Sequence, residues 1–263
     1  MGIDASLSST GICVAELSFL EDAKSSLLEV LLDENFEKEL DFFEKSFTIL
    51  HQEEVKEDKT TKKELAKTRK SIRDICKKGG YPSQKLISQE QKLVLEQSLY
   101  QIDVWEILYQ KFDPVLIGIE DYSFSSYGST TQLAELKGVF KQRFLKKYVP
   151  DKVQLRVAPI TSVKKITSTH GQGNKELICQ NMKRFGFEDY EKKDDMLDAI
   201  GISLSFFYAI WNLISPFEFP KPSNTKERNQ FKSWQNCLNK FSQRLGTKDE
   251  VMTWIQNNQV KNS

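Results

Sequence analysis

Four carboxylates have the types and positions to do chemistry together: Asp4, Glu120, Asp195 and Asp198. Asp4 ends or interrupts a short apolar strand at Met1–Asp4, and Glu120 ends the apolar run Val115, Leu116, Ile117, Ile119. Ligands of open α/β sheets gather at strand ends and at the reversal of strand order, so two acids placed there converge. Asp195 and Asp198 stand three residues apart near the start of a helix and share one face of it. Together they would form an anionic, all-oxygen site, which suits magnesium, an ion that keeps several waters and bridges to phosphate oxygens. Two such ions about 4 Å apart activate a water and stabilise the leaving oxygen of a phosphodiester. Each acid alone has a plainer reading, as a turn aspartate or a helix cap; Asp194 reads as a cap or a solvated neighbour of the pair. The combination carries the expectation of a metal site.

Other chemistries find less support. The chain has 2 histidines, His51 and His170, too few for a histidine-based triad or zinc site. Cys13, Cys76, Cys179 and Cys237 are widely spaced with no CxxC pair, so reduced thiols in a cytosol-like compartment are expected. No basic segment followed by an apolar core opens the sequence, and the longest apolar stretch, Ala199–Ile214, reads as a buried helix. A soluble cytoplasmic protein with no membrane partner is the resulting expectation.

The elements that must hold the acids follow from periodicity. Met1–Asp4, Gly11–Leu17 and Ser25–Leu32 read as three leading strands. Phe36 to about Lys78 is heavily charged, with Phe36, Leu40, Phe43 and Phe47 at helical spacing. Gly79–Pro82 breaks the chain, and Ser88 is expected to cap a long helix reaching about Phe112. Pro114–Glu120 is a central strand, Thr130–Tyr148 a helix and Lys152–Ala158 a further strand. A glycine loop at Thr169–Gly173 precedes a helix from Asn174 to about Phe185, and Asp194–Trp211 is the last core helix. Beyond Ser215 the composition shifts to Pro, Asn, Gln and Lys, which reads as an appended helical region. Leading strands followed by alternating β and α segments imply a mixed sheet with helices on both faces.

The net charge of +1 hides strong segregation. Residues 16–58 hold 14 acidic and 4 basic residues, whereas 137–193 hold 14 basic and 5 acidic, and 56–92 hold 12 and 5. A local positive face is what a polyanion binder needs, because released counterions drive most of its affinity. Solvated lysine-rich helices account for the same composition.

Taken in order, these segments resemble the RuvC family of Holliday-junction resolvases, particularly its phage-type members. Gly2-Ile3-Asp4-Ala5-Ser6-Leu7-Ser8-Ser9-Thr10-Gly11 is similar to the family's G-I-D-P-x-x-x-x-T-G, and Ile119-Glu120 stands where a second carboxylate is expected. Leu136-Lys137-Gly138-Val139 resembles A-R-G-V, Val163-Lys164 through Lys175 resembles V-K-x-x-x-x-G-x-G-x-x-x-K, and Asp195–Ile200 resembles D-A-A-D-A-L. The departures are Thr169 in place of the first loop glycine, and Tyr122 or Phe124 where an aromatic stands at another offset.

The resemblance implies an α/β, RNase H-like mixed sheet over residues 1–214, with a charged helical insertion at about 35–88 and a helical extension at 215–263. It further implies a homodimer that cuts two strands of a four-way DNA junction using two magnesium or manganese ions. Asp4, Glu120, Asp195 and Asp198 would be the ligands, with Lys175 stabilising charge at the scissile phosphate. Lys164 and Lys165 would approach phosphates, Gly171 and Gly173 would admit backbone amides close to DNA, and Tyr122 or Phe124 would stack on a junction base. Nucleases of the same fold acting on flaps, forks or RNA–DNA hybrids, and a non-catalytic junction binder, are the competing readings. Actin-like ATPases share the opening turn but need a second glycine-rich phosphate loop, which this sequence lacks.

Overall fold

A computed structural model describes residues 1–5, 9–18, 47–56, 58–121, 130–148, 154–168, 175–184, 194–218, 221–222 and 224–259. Five strands form one sheet: β1 (Gly2–Ala5), β2 (Ser9–Leu17), β3 (Phe47–Lys56), β4 (Leu116–Glu120) and β5 (Gln154–Ala158), in the order β3-β2-β1-β4-β5. β1 to β3 are joined antiparallel, and β4 and β5 extend the sheet in parallel from β1. Helices cover both faces, as the sequence leads one to expect of an α/β mixed sheet.

Strand alternation decides what each face receives. Ile3, Ala5, Ile12, Val14, Ile117 and Ile119 point to one side, where they pack with Ile102, Trp105, Leu108 and Tyr109 of α2 (Gln84–Phe112) and Leu136, Phe140 and Phe144 of α3 (Thr130–Tyr148). The other side meets α6 (Asp194–Ile214), which crosses β1 and β2 and is buried almost throughout from Met196 to Trp211. By length and composition α6 could span a membrane, but 72% of that window is buried in the protein, as befits a core helix. Around α6 pack α4 (Ile160–Ser168), α5 (Lys175–Arg184), α7 (Thr225–Leu245) and α8 (Lys248–Gln259). Trp234, Leu238 and Phe241 of α7 share the core of α6, and the Trp234 indole donates to Ile166 O at 3.0 Å. All four cysteines are free thiols.

Two expectations are corrected, and one element is added. Phe47–Lys56, which falls within the charged stretch read as helical from Phe36 to about Lys78, is β3. As an edge strand it buries Phe47 on the side of α6 and Val55 on the side of α2 and α3, and its backbone is satisfied along β2, a partner that helical spacing cannot reveal. The long helix α2 starts earlier than Ser88: Ser83 caps it, accepting from Leu86 N at 3.3 Å, and Ser88 lies inside the helix. Ile160–Ser168, unassigned from sequence, is a short helix held by tertiary packing on α6 and α7. The strand expected at Ser25–Leu32 and the glycine loop at Thr169–Gly173 lie outside the described residues.

Candidate active site

β1 and β4 run parallel in register, Gly2 beside Gly118 and Ile3 beside Ile119, which carries Asp4 alongside Glu120 at the same end of the sheet. Because Ile3 and Ile119 face α2 and α3, both carboxylates face α6. Asp4 is 5% exposed and shares a hydrogen bond with Glu120. Burial, foremost, then that hydrogen bond and the charges of Glu120, Asp198 and Asp195 hold the Asp4 carboxyl well above the usual aspartate range.

The approach of α6 depends on glycine. Gly11 is paired with Asp4 across β1 and β2, and a Cβ there would run into the Asp195 carbonyl; one at Gly2 would run into that of Ala199. With no side chain at either place, the first turns of α6 lie directly on the sheet and bring Asp195 and Asp198 within electrostatic reach of Asp4. The Ser9 hydroxyl, at the start of β2, donates a hydrogen bond to the Asp195 carboxylate.

Lys137 completes the cluster from the opposite face. Its side chain on α3 is 1% exposed, with Nζ 3.9 Å from a Glu120 oxygen and donating to Asp121 O at 3.1 Å. Burial lowers its pKa, while Glu120 and Asp4 pull it back up. Lys137 lies in the segment read as the family's A-R-G-V helix, but nothing in helical spacing says that its ammonium reaches a strand end; only the sequence likeness marked the place.

The structure therefore gathers Asp4, Glu120, Asp195 and Asp198. Lys164 and Lys165 are half-buried on α4, which packs along α6. Lys175 is the first residue of α5. Its side chain, and Tyr122, Phe124, Gly171 and Gly173, lie outside the described residues. The donor set fits a hard divalent cation, being oxygen-only and anionic, with mutual repulsion that such a charge would relieve. It is not preassembled: among the described residues no three His, Cys, Asp or Glu side chains are aimed at one point as ligands. Asp195 is turned toward Ser9.

Fold and site together define an α/β protein that presents a four-carboxylate cluster, with a buried lysine, at the C-terminal ends of two adjacent parallel strands. Neither a protein-family model nor a curated protein matches the sequence. Among solved structures the chain is similar to "Thermus thermophilus RuvC structure", at 15% identity and a TM-score of 0.45, over 79% of this chain and 93% of that one. It is also similar to "T. thermophilus RuvC in complex with Holliday junction substrate", at 16% identity and a TM-score of 0.47, over 79% of this chain and 92% of that one. Identity this low leaves the site to be read from its own side chains.

Proposed function

We propose that this protein is a magnesium-dependent DNA endonuclease that hydrolyses phosphodiester bonds at four-way junctions and works as a homodimer. The observation that carries the nuclease reading is the Asp4–Glu120 pair at adjacent strand ends with Asp195 and Asp198 of α6 over it. The ordered sequence motifs, from Gly2–Gly11 to Asp195–Ile200, support the junction as substrate. Asp4, Glu120, Asp195 and Asp198 would hold one or two magnesium ions, with manganese able to substitute. Bound there, the metal supplies Lewis-acid activation of water and neutralisation of phosphate charge. Asp4 and Glu120 give up their shared hydrogen bond to present oxygens, and Ser9 orients the Asp195 carboxylate. Lys137 holds Glu120 at the strand end and offsets part of the charge of the cluster.

The test is a synthetic four-way junction incubated with magnesium beside a flap, a linear duplex and an RNA–DNA hybrid. Paired, symmetric nicks in the junction are expected, abolished in Asp4→Asn and Glu120→Gln while junction binding persists in calcium. Cleavage retained by these variants removes the site assignment; equal cutting of linear duplex removes the junction.

A further inference from the structure

A basic helical hairpin stands outside the sheet and is rooted beside the acidic cluster. Ser9, the residue bonded to Asp195, is paired across the sheet with Lys56, the last residue of β3. Two residues on, Asp58 caps α1 (Lys59–Lys77), accepting from Thr61 N at 2.8 Å. The hairpin thus leaves the sheet at the end where the carboxylates lie. It returns through α2, whose C-terminal half packs on the sheet through Ile102, Trp105 and Leu108.

The direction of α2 shows how far the hairpin reaches. Past Asp113, whose φ of 42° turns the chain, α2 leads into β4, which runs toward Glu120. The 5 residues of β4 span about 17 Å, a length matched by about 11 helical residues. The part of α2 before about Gln101 therefore extends past the acidic end of the sheet, by roughly 25 Å. Along this stretch α2 packs with α1, not with the sheet: Leu93 and Val94 close on Leu65 in a cluster separate from the main core. Arg69 of α1 pairs with Glu90 of α2 at 2.8 Å.

The two sides of α1 differ in kind. Thr61, Leu65, Thr68, Ile72 and Ile75 recur every three or four residues on the side toward α2, all buried or half-buried. On the opposite side Lys59, Lys63, Lys67, Lys70 and Lys77 are exposed along the full length of the helix, about 28 Å. Residues 59–78 contain 9 Lys/Arg against 2 acids, Glu64 and Asp74, in a chain whose net charge is +1. Neither hydrophobic packing nor helix formation asks for lysine in preference to glutamate on that side. A row of five lysines of this length, interrupted only by Asp74, starts at the acidic end of the sheet and runs outward from it, and it matches a polyanionic rod: one turn of duplex is about 34 Å long and carries a charge roughly every 1.7 Å.

We propose that the α1–α2 hairpin is a duplex-gripping arm, its lysine row binding the phosphodiester backbone of a DNA arm that leads away from the acidic cluster. The inference rests on the reading of that cluster as a DNA-cleaving site. It adds a second, non-catalytic foothold that fixes how the duplex enters. The grip is on phosphates, so it is independent of base sequence and strongly dependent on salt.

The test compares the wild-type protein with a triple variant, Lys63→Gln/Lys70→Gln/Lys77→Gln. Binding is measured in EDTA by fluorescence anisotropy on four-way junctions with arms of about 5 or about 20 base pairs, across a salt series. On the long-armed junction the variant is expected to bind about tenfold more weakly at 0.1 M salt. Its slope of log affinity against log salt should be shallower by roughly 2 to 3, near 0.9 for each phosphate that is no longer neutralised. On the short-armed junction, whose arms of about 17 Å reach only the inner part of the lysine row and end well before Lys77, the weakening should be clearly smaller, about threefold or less. The substitutions are exposed, and a melting curve checks the fold; the single variant Lys70→Gln, expected to lower the slope by about 1, replaces the triple if that unfolds. An unchanged slope on long arms, an equal weakening on both junctions, or no DNA binding by the wild type overturns the arm. Cleavage is scored separately in magnesium: a wild type that binds with arm-dependent salt sensitivity but cuts nothing overturns the nuclease reading and leaves the arm standing.

Discussion

The ammonium of Lys137 stands 3.9 Å from the carboxylate of Glu120 with 1% of the lysine side chain exposed. A buried cation so close to an acidic cluster holds the strand-end carboxylate in place, and its removal takes a counter-charge away from buried negative charge. Lys137→Met is expected to lower turnover at saturating magnesium by roughly 10- to 100-fold, from the 1.5–3 kcal/mol of a charged hydrogen bond. Lys137→Arg should recover part of it. Steady-state cleavage rates with all three proteins check this; full activity in Lys137→Met removes the lysine from the site.

Asp4 gives the metal-free protein a pH dependence whose sign follows from its raised pKa. Since the folded value lies above the unfolded one, the protonated carboxyl favours the fold. That contribution is complete below the ordinary aspartate range and is lost as pH rises through the raised folded value. In EDTA, melting temperature should therefore fall from mildly acidic to alkaline pH, and Asp4→Asn should flatten the fall. Magnesium or calcium at alkaline pH should restore stability to the wild type by binding the folded state. Identical pH profiles for wild type and Asp4→Asn in EDTA would contradict this.

Gly11 and Gly138 should respond in opposite directions to alanine. At Gly11 the new methyl group meets the Asp195 carbonyl, forcing α6 off the sheet, so a loss of about 1–3 kcal/mol and of most cleavage activity is expected. At Gly138, in α3, a Cβ meets nothing within 4 Å, so Gly138→Ala should add about 0.5–1 kcal/mol through helix propensity. Chemical denaturation of both variants measures the pair.

Asp195→Asn and Asp198→Asn are each expected to abolish detectable cleavage with little change in melting temperature. Ser9→Ala should reduce it less, because it removes only the hydroxyl that orients Asp195. The diagnostic reading is the magnesium concentration for half-maximal rate, which Ser9→Ala should raise above that of the wild type. An unshifted value would mean that the Ser9 hydroxyl has no part in ligand placement.

Trp234→Ala tests whether residues past 215 belong to the core. Trp234 is 3% exposed, packs within the cluster of α6 and donates to Ile166 O at 3.0 Å. A cost of about 3–5 kcal/mol is expected in equilibrium unfolding. A cost under about 1 kcal/mol would mark α7 as a detachable appendage.

The sequence by itself determined the strand that carries Asp4, which runs one residue past it to Ala5, the strand end at Glu120, the helix Thr130–Tyr148 to the residue, the i,i+3 spacing of Asp195 and Asp198 on α6 and the α/β class. These are local properties: an apolar run ended by an acid, helical periodicity, and i,i+3 spacing. Tertiary structure decided what depends on residues distant in the chain. Phe47–Lys56 is a strand because β2 offers it a partner, although its composition is that of a charged helix. Ser83 displaced Ser88 as the cap of α2, and Ile160–Ser168 became helical against α6 and α7. The four acids come near one another only because β1 and β4 are neighbours in parallel register and because Gly2 and Gly11 let α6 rest on the sheet. Lys137 joined them from the far face, an approach that no spacing along the chain records, since it is made by the end of a long side chain reaching around a strand terminus.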